Sequence, residues 1–133
     1  MRKHVPPHMR GLLLPFNWDV RRVWELGAPR ETIPIGALEF LLTNPFWSRN
    51  PDRFVDFDLC PIDVVSGRFE SPYHRERIRK ADTSFPLDFI EDDGTLWIVD
   101  GIHRLAKLRQ RGVPEVRIRK HPMSIRHHIE ISD

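Results

Sequence analysis

Residues suited to binding a phosphate are concentrated between positions 100 and 107: Asp100, Gly101, His103, Arg104 and Lys107. They stand where a predicted strand ends and a predicted helix begins. The first turn of a helix leaves backbone N–H groups without intrahelical partners, and the aligned peptide dipoles place partial positive charge there. A phosphate group satisfies both, so the segment is predicted to bind an anion.

Each of these residues has a chemical reason to be in such a site. Gly101 lets the backbone approach an anion closely or adopt dihedral angles closed to other residues. Arg104 can hold two phosphate oxygens through parallel hydrogen bonds, while His103 and Lys107 are four residues apart and share a helix face. Asp100 has three open roles: to cap the helix, to hold His103 or Arg104, or to help bind a metal bridged by phosphates. The alternative is a simple N-cap and turn with solvated charges, because a helix N-terminus with a glycine is a common pattern.

The elements that position this segment follow from the hydrophobic pattern. Strands are predicted over 86–91 and 95–99, with a turn at 92–94 that ends in Asp–Gly. The helix begins at 102, and its apolar residues recur at helical spacing until Gly112 ends it. A strand over 113–121 follows, with Val116 and Ile118 facing inward and Arg117 and Arg119 facing outward. The predicted order over 86–120 is therefore strand, strand, helix, strand.

The rest of the chain is less regular. A short helix is predicted over 19–26, capped by Asn17 or Asp19 and stopped by Gly27. A strand follows over 31–35, and 36–42 is either a turn of helix or extended. The alternating segment 54–65 is predicted as a half-buried strand or a long connection, and 74–82 as a short charged helix with Ile78 and Ala81 inward.

Composition limits the classes of protein. The chain has 133 residues, which favours a single domain, and a formal net charge of only +2, which is weak evidence for a nucleic-acid partner. Cys60 is the single cysteine, so no intrachain disulfide forms and a cytoplasmic protein is predicted. No apolar run reaches the ~18 residues of a membrane span. The charge is segregated, with a basic run from Arg104 to Lys120.

The segment from Val99 to His121, and above all Gly101-Ile102-His103-Arg104, resembles the ParB/sulfiredoxin superfamily. The resemblance covers roughly 31–121 and is specific over 86–120. It implies an α/β (α+β) single domain of ParB/sulfiredoxin-like fold, with a small mixed sheet and flanking helices. The chain then divides into an N-terminal arm and short helix (1–30), a nucleotide-binding domain (31–121) and a C-terminal tail (122–133).

The resemblance also implies a function. The turn would bind the phosphates of ATP or CTP with Mg²⁺ through Gly101, His103, Arg104 and Lys107. Asp100, His103 and Arg104 would be the catalytic residues of an NTP hydrolase or phosphotransferase, in which His103 and Arg104 neutralise phosphate charge. Ile102 stands where sulfiredoxin needs a cysteine, so sulfinic-acid reduction is not expected. The alternatives are a non-catalytic nucleotide- or DNA-binding module of plasmid or phage type, or a ParB-like nuclease.

Other chemistry-bearing residues are predicted to be structural. Surface charge is the favoured interpretation for Glu31 and Glu39, with a catalytic role as the alternative. A solvated face is favoured for the basic residues of the charged helix, with nucleotide or nucleic-acid contact as the alternative: His74, Arg75, Arg77 and Lys80. No protein metal site is predicted, because the C-terminal histidines His121, His127 and His128 lack partners at ligand spacing. The tryptophans are predicted to pack, with base stacking open for Trp97: Trp18, Trp24, Trp47 and Trp97.

Overall fold

The computed structural model describes residues 5–132. Four strands form one sheet: β1 (Arg30–Pro34), β2 (Leu87–Asp92), β3 (Thr95–Asp100) and β4 (Glu115–Pro122). Six α-helices surround it: α1 (Val20–Trp24), α2 (Phe40–Thr43), α3 (Pro61–Val65), α4 (Pro72–Lys80), α5 (Ile102–Gln110) and α6 (Arg126–Ile129). Several short 3-10 turns connect them. No helix within 5–132 is long and apolar enough to cross a membrane.

The sheet is mixed, with strand order β1-β4-β2-β3. β4 pairs antiparallel with β1 and parallel with β2, and β2 pairs antiparallel with β3. The turn between β2 and β3 consists of Asp93 and Gly94, both with positive φ, which is the backbone that a two-residue hairpin requires. The prediction of a small mixed sheet with flanking helices is confirmed, and so is the strand–strand–helix–strand order.

Both faces of the sheet are covered, so the central strand β2 is buried on both sides. Leu87 and Phe89 point into the larger core, which α2, α3, α4 and α5 complete. Ile90 points to the other face, into a smaller core that contains Val23 of α1 and Ile129 of α6. The first four residues of β2 are therefore all buried, instead of alternating between buried and exposed.

The N-terminal segment is packed against the body of the molecule. Met9 joins the larger core, and Leu14 and Phe16 join the smaller one. The backbone continues this attachment, because Trp18 forms an antiparallel bridge with Glu130. Residues of the predicted arm and of the predicted tail therefore contact each other.

Two local predictions were wrong in part. Segment 54–65 is neither a strand nor a plain connection, because it ends in α3. Pro61 supplies the first position of that helix, where a missing N–H costs nothing, and Val64 packs inward one turn later. Asp19 caps α1 as predicted, but the helix ends at Trp24 and not at Gly27.

Candidate functional site

The N-terminus of α5 lies directly beyond the end of β3. Gly101 occupies the N-cap position with a φ of 122°, which side chains rarely tolerate. A Cβ placed there would lie 2.7 Å from Cγ of Leu87, so the sheet packs against this backbone. The first intrahelical bond of α5 runs from the Leu105 N–H to the Gly101 carbonyl, at 2.9 Å. The amides of residues 102–104 precede it and form the open first turn.

Asp100 holds Arg104. Oδ2 of Asp100 accepts a hydrogen bond from Nη2 of Arg104 at 2.8 Å and another from Nε1 of Trp24 at 2.9 Å. Nη1 of Arg104 donates to the Pro86 carbonyl at 2.7 Å. Of the three roles open to Asp100, the structure favours this one, since no side chain within 5–132 caps α5. The guanidinium is thereby fixed in a half-buried position before any ligand arrives.

His103 contacts a second histidine that the sequence did not place beside it. Its Nε2 lies 3.0 Å from Nδ1 of His74, and Nε2 of His74 lies 3.4 Å from the Ser48 carbonyl. Both imidazoles stack on the indole of Trp47, at centroid distances of 4.2 Å for His74 and 4.4 Å for His103. A carbonyl only accepts, so His74 carries its proton on Nε2 and accepts at Nδ1 from His103.

Burial keeps this histidine pair neutral. It lowers the pKa of His103 to about 3, with help from the positive charge of Arg77 and from His74. Burial also lowers the pKa of His74, although the bond to the Ser48 carbonyl opposes this. A neutral His103 supplies hydrogen bonding and shape, and not the positive charge that was expected from the sequence. His74 is likewise a buried residue and not part of a solvated basic face.

Lys107 is directed away from the first turn of α5. Its Nζ donates to the carbonyls of Arg79 and Ala81, at 2.7 and 2.8 Å, at the C-terminal end of α4. These carbonyls lack intrahelical partners, and an ammonium group satisfies them. The prediction that Lys107 contacts phosphate is therefore not supported by its position, because two of its three N–H donors already join two helices.

A cleft of about 620 Å³ opens at the first turn of α5. Its lining includes Gly101, His103 and Arg104 of the predicted site. Five basic residues line it: Arg30, Arg77, Lys80, Arg104 and Arg119. Three acidic residues do so as well: Asp82, Asp88 and Asp100. The excess of basic residues and the helix N-terminus both favour an anion in this cleft.

Asp88 and Arg119 form the buried part of the cleft lining. Oδ1 of Asp88 accepts from Nε of Arg119 at 2.7 Å and from Nε2 of His121 at 2.9 Å. Burial opposes ionisation of Asp88, but the bonds from His121 and Arg119 outweigh it and hold its pKa below the ordinary value. Arg119 faces away from Val116 as predicted, yet its side chain is only 12% exposed because the chain at the end of α1 covers it.

The residues present offer no cage for Mg²⁺. Within 5–132 no three His, Cys, Asp or Glu side chains are grouped so that they could hold a metal ion. Asp88 and Asp100 are each paired with an arginine, and Asp82 is the lining carboxylate that has no such pair among the described residues. A magnesium ion would therefore have to enter with the phosphates of its ligand.

The remaining candidates are distributed around the molecule. Arg77 and Lys80 of α4 line the cleft, whereas Arg75 pairs with Glu70. Glu39 pairs with Arg109, and Glu31 pairs with Lys120. The basic run 104–120 is thus divided among ion pairs, helix contacts and the cleft.

Two of the cleft residues that the sequence did not indicate are aromatic. Trp24, which was predicted to pack, is 55% exposed, and Phe85 is 57% exposed. Both line the cleft. Trp24 lies 76 positions before its partner Asp100, so no local pattern could have indicated the contact.

No protein-family model matches the sequence, and no curated protein matches it either. The structure is similar to the crystal structure of sulfiredoxin from Arabidopsis thaliana, with 22% sequence identity. The likeness covers 75% of this chain and 96% of that chain, at a TM-score of 0.36. It is a likeness of fold and carries no statement about activity.

Proposed function

We propose that this protein binds a nucleotide through its phosphates, in the cleft at the N-terminus of α5. The observation that supports this most strongly is the convergence of an open helix N-terminus with five basic residues around one cavity. Backbone N–H groups and guanidinium groups are the usual protein partners of phosphate oxygens. A volume of about 620 Å³ is also in the range of small-molecule and cofactor sites.

Hydrolysis or transfer of the terminal phosphoryl group is the reaction we propose to test. Arg104 is already oriented by Asp100 and by the Pro86 carbonyl. Such a fixed cation can stabilise charge that develops on a transferring phosphoryl group, because little reorganisation is needed. His103 is neutral and its N–H already donates to His74, so it would shape the site beside the phosphates without adding a donor to them. Mg²⁺ would accompany the nucleotide and shield phosphate charge.

The binding test compares two arginines of the same helix. Both are exposed, but Arg77 lines the cleft whereas Arg75 pairs with Glu70. We expect Arg77→Ala to weaken nucleotide binding roughly tenfold, the effect of losing one charge-assisted contact. Arg75→Ala should leave binding within about twofold, since exposed ion pairs contribute little.

The measurement is thermal stabilisation by ATP, ADP, CTP, GTP and inorganic phosphate, each with and without Mg²⁺. Ligand at ~100 times its dissociation constant raises the free energy of unfolding by about 2.7 kcal/mol, which shifts the melting temperature clearly. Arg104→Ala is measured beside them, with its unliganded melting temperature as the check on folding. Equal stabilisation of wild type, Arg77→Ala and Arg104→Ala would contradict the proposal.

Release of phosphate from ATP and CTP distinguishes an enzyme from a binding module. Turnover that is lost in Arg104→Ala would support the hydrolase or phosphotransferase. Binding without turnover would support the non-catalytic nucleotide-binding module. A DNA-binding module receives less support, because the basic run 104–120 is used in several separate contacts. Such a module would instead show DNA affinity with a steep salt dependence and no response to nucleotide.

A further inference from the structure

Trp24 is an aromatic residue whose position is not explained by packing. Its side chain is 55% exposed, although tryptophan is usually well covered, and it lines the same cleft as Arg104. It belongs to α1, which is anchored to the smaller core through the neighbouring Val23. A large apolar surface is therefore held at the edge of a charged cavity.

Its indole ring is also fixed. The Nε1–H of Trp24 donates to Oδ2 of Asp100 at 2.9 Å, and the same oxygen accepts from Nη2 of Arg104 at 2.8 Å. One carboxylate oxygen thus holds both the aromatic ring and the guanidinium. A second exposed aromatic residue, Phe85, directly precedes Pro86, whose carbonyl accepts the other end of that guanidinium. The guanidinium of Arg104 therefore shares the Asp100 oxygen with one exposed aromatic ring, and the residue after a second one supplies its other acceptor.

This arrangement matches a ligand with a phosphate at one end and a flat ring at the other. A phosphate that contacts Arg104 leaves the rest of its molecule within reach of Trp24. Any of the nucleobases can stack on an aromatic side chain, because every base has a π face. A bare polyphosphate or a phosphorylated sugar would leave the exposed indole in water.

We propose that Trp24 is the specificity-determining residue of the cleft, and that it stacks on the base of a nucleotide while Asp100 positions it. This rests on the proposed function and narrows it to ligands that carry an aromatic base. The segment that supplies the indole, α1, would then recognise the base, while the first turn of α5 binds the phosphates.

The test measures affinities for ATP, CTP and inorganic tripolyphosphate by equilibrium titration of the full chain. Three variants are compared with wild type. Trp24→Leu removes the π face but keeps apolar volume, and Trp24→Phe keeps a π face but removes the N–H. Phe54→Leu is the matched control, because Phe54 is 75% exposed and does not line the cleft.

The quantity of interest is the ratio of nucleotide affinity to tripolyphosphate affinity, because any effect that passes through Asp100 and Arg104 alters both ligands alike. We expect Trp24→Leu to lower this ratio roughly tenfold, the effect of losing one stacked base. Trp24→Phe should lower the ratio less than Trp24→Leu does, because it keeps a π face but loses the bond to Asp100, and Phe54→Leu should leave the ratio unchanged. An unchanged ratio in Trp24→Leu, or an equal fall in Trp24→Leu and Trp24→Phe, would overturn the proposal.

If wild type binds tripolyphosphate alone, stacking is overturned while the phosphate site stands. If it binds none of the three probes, both proposals fall.

Discussion

His103 shows how burial decides what a single side chain can contribute to a site. From the sequence, its position in the first turn of a helix suggested a positive charge for phosphate. In the structure the ring is stacked on Trp47 and bonded to His74, which lies 29 positions away. Loss of hydration disfavours the charged form, so the ring is neutral at physiological pH.

This has a measurable consequence for stability. The pKa of His103 is about 3 in the folded protein, whereas an unfolded histidine titrates near 6.5. Between these values the unfolded state binds more protons than the folded state. The contribution of His103 to the free energy of unfolding is therefore fully present above pH 6.5 and is lost progressively as the pH falls towards 3. One such group contributes a slope of up to about 1.4 kcal/mol per pH unit.

We therefore expect His103→Gln to flatten the dependence of unfolding free energy on pH between 6.5 and 4.5, measured by urea denaturation. His128→Gln serves as the control, because His128 is exposed and should keep the wild-type slope. Parallel curves for wild type and His103→Gln would show that His103 is not held neutral by burial.

At the residue scale, a local signal was enough to predict which residues lie together. Gly101 and Arg104 were predicted as neighbours in one site from a single strand–helix boundary, and both line the cleft. The stack of Trp47, His74 and His103 could not be predicted from the sequence, because three separate segments contribute one ring each. Trp24 was missed for the same reason. A long-range contact leaves no periodic pattern in the sequence.

At the level of elements, α4 and α5 are joined by a lysine that was expected to bind ligand. Nζ of Lys107 donates to the last carbonyls of α4, as described above. Helix ends leave such carbonyls unsatisfied, and a neighbouring helix supplies the donor here. The periodicity of α5 predicted the helix correctly, but it could not reveal which neighbour its polar face would meet.

We expect Lys107→Met to lower the free energy of unfolding by about 1–2 kcal/mol, the usual effect of losing hydrogen bonds from a charged donor. Nucleotide affinity should remain within about twofold of wild type. Arg111→Met is the control, since Arg111 follows α5 and is exposed. A large loss of affinity with unchanged stability would instead restore the phosphate-binding role predicted from the sequence.

For the whole molecule, the decisive feature is that the sheet is covered on both faces. The strand pattern predicted the larger core well, because Val116 and Ile118 alternate with charged residues. It gave no sign that a second layer covers the other face. As a result Arg119, predicted to face outward, ends in a buried network with Asp88 and donates to the Val23 carbonyl at the end of α1.

We expect Arg119→Met to lower the free energy of unfolding by about 3–5 kcal/mol, because it leaves the Asp88 carboxylate buried without its arginine. Arg117→Met provides the comparison from the same strand. Arg117 is exposed and donates to the Ser84 carbonyl, so its removal should cost about 1 kcal/mol. Chemical denaturation measures both, and equal losses would show that the buried network is not what joins α1 to the sheet.

The N-terminal segment also affects how readily one copy of the chain can associate with another. β3 is an edge strand, and unpaired backbone groups at an edge are a template for association with another sheet. The indole N–H of Trp18 donates to the carbonyl of Val99 in β3, at 3.2 Å. The segment that brings Trp24 to the cleft therefore also engages one backbone group of this strand, and we expect it to hinder the pairing of β3 with a second sheet.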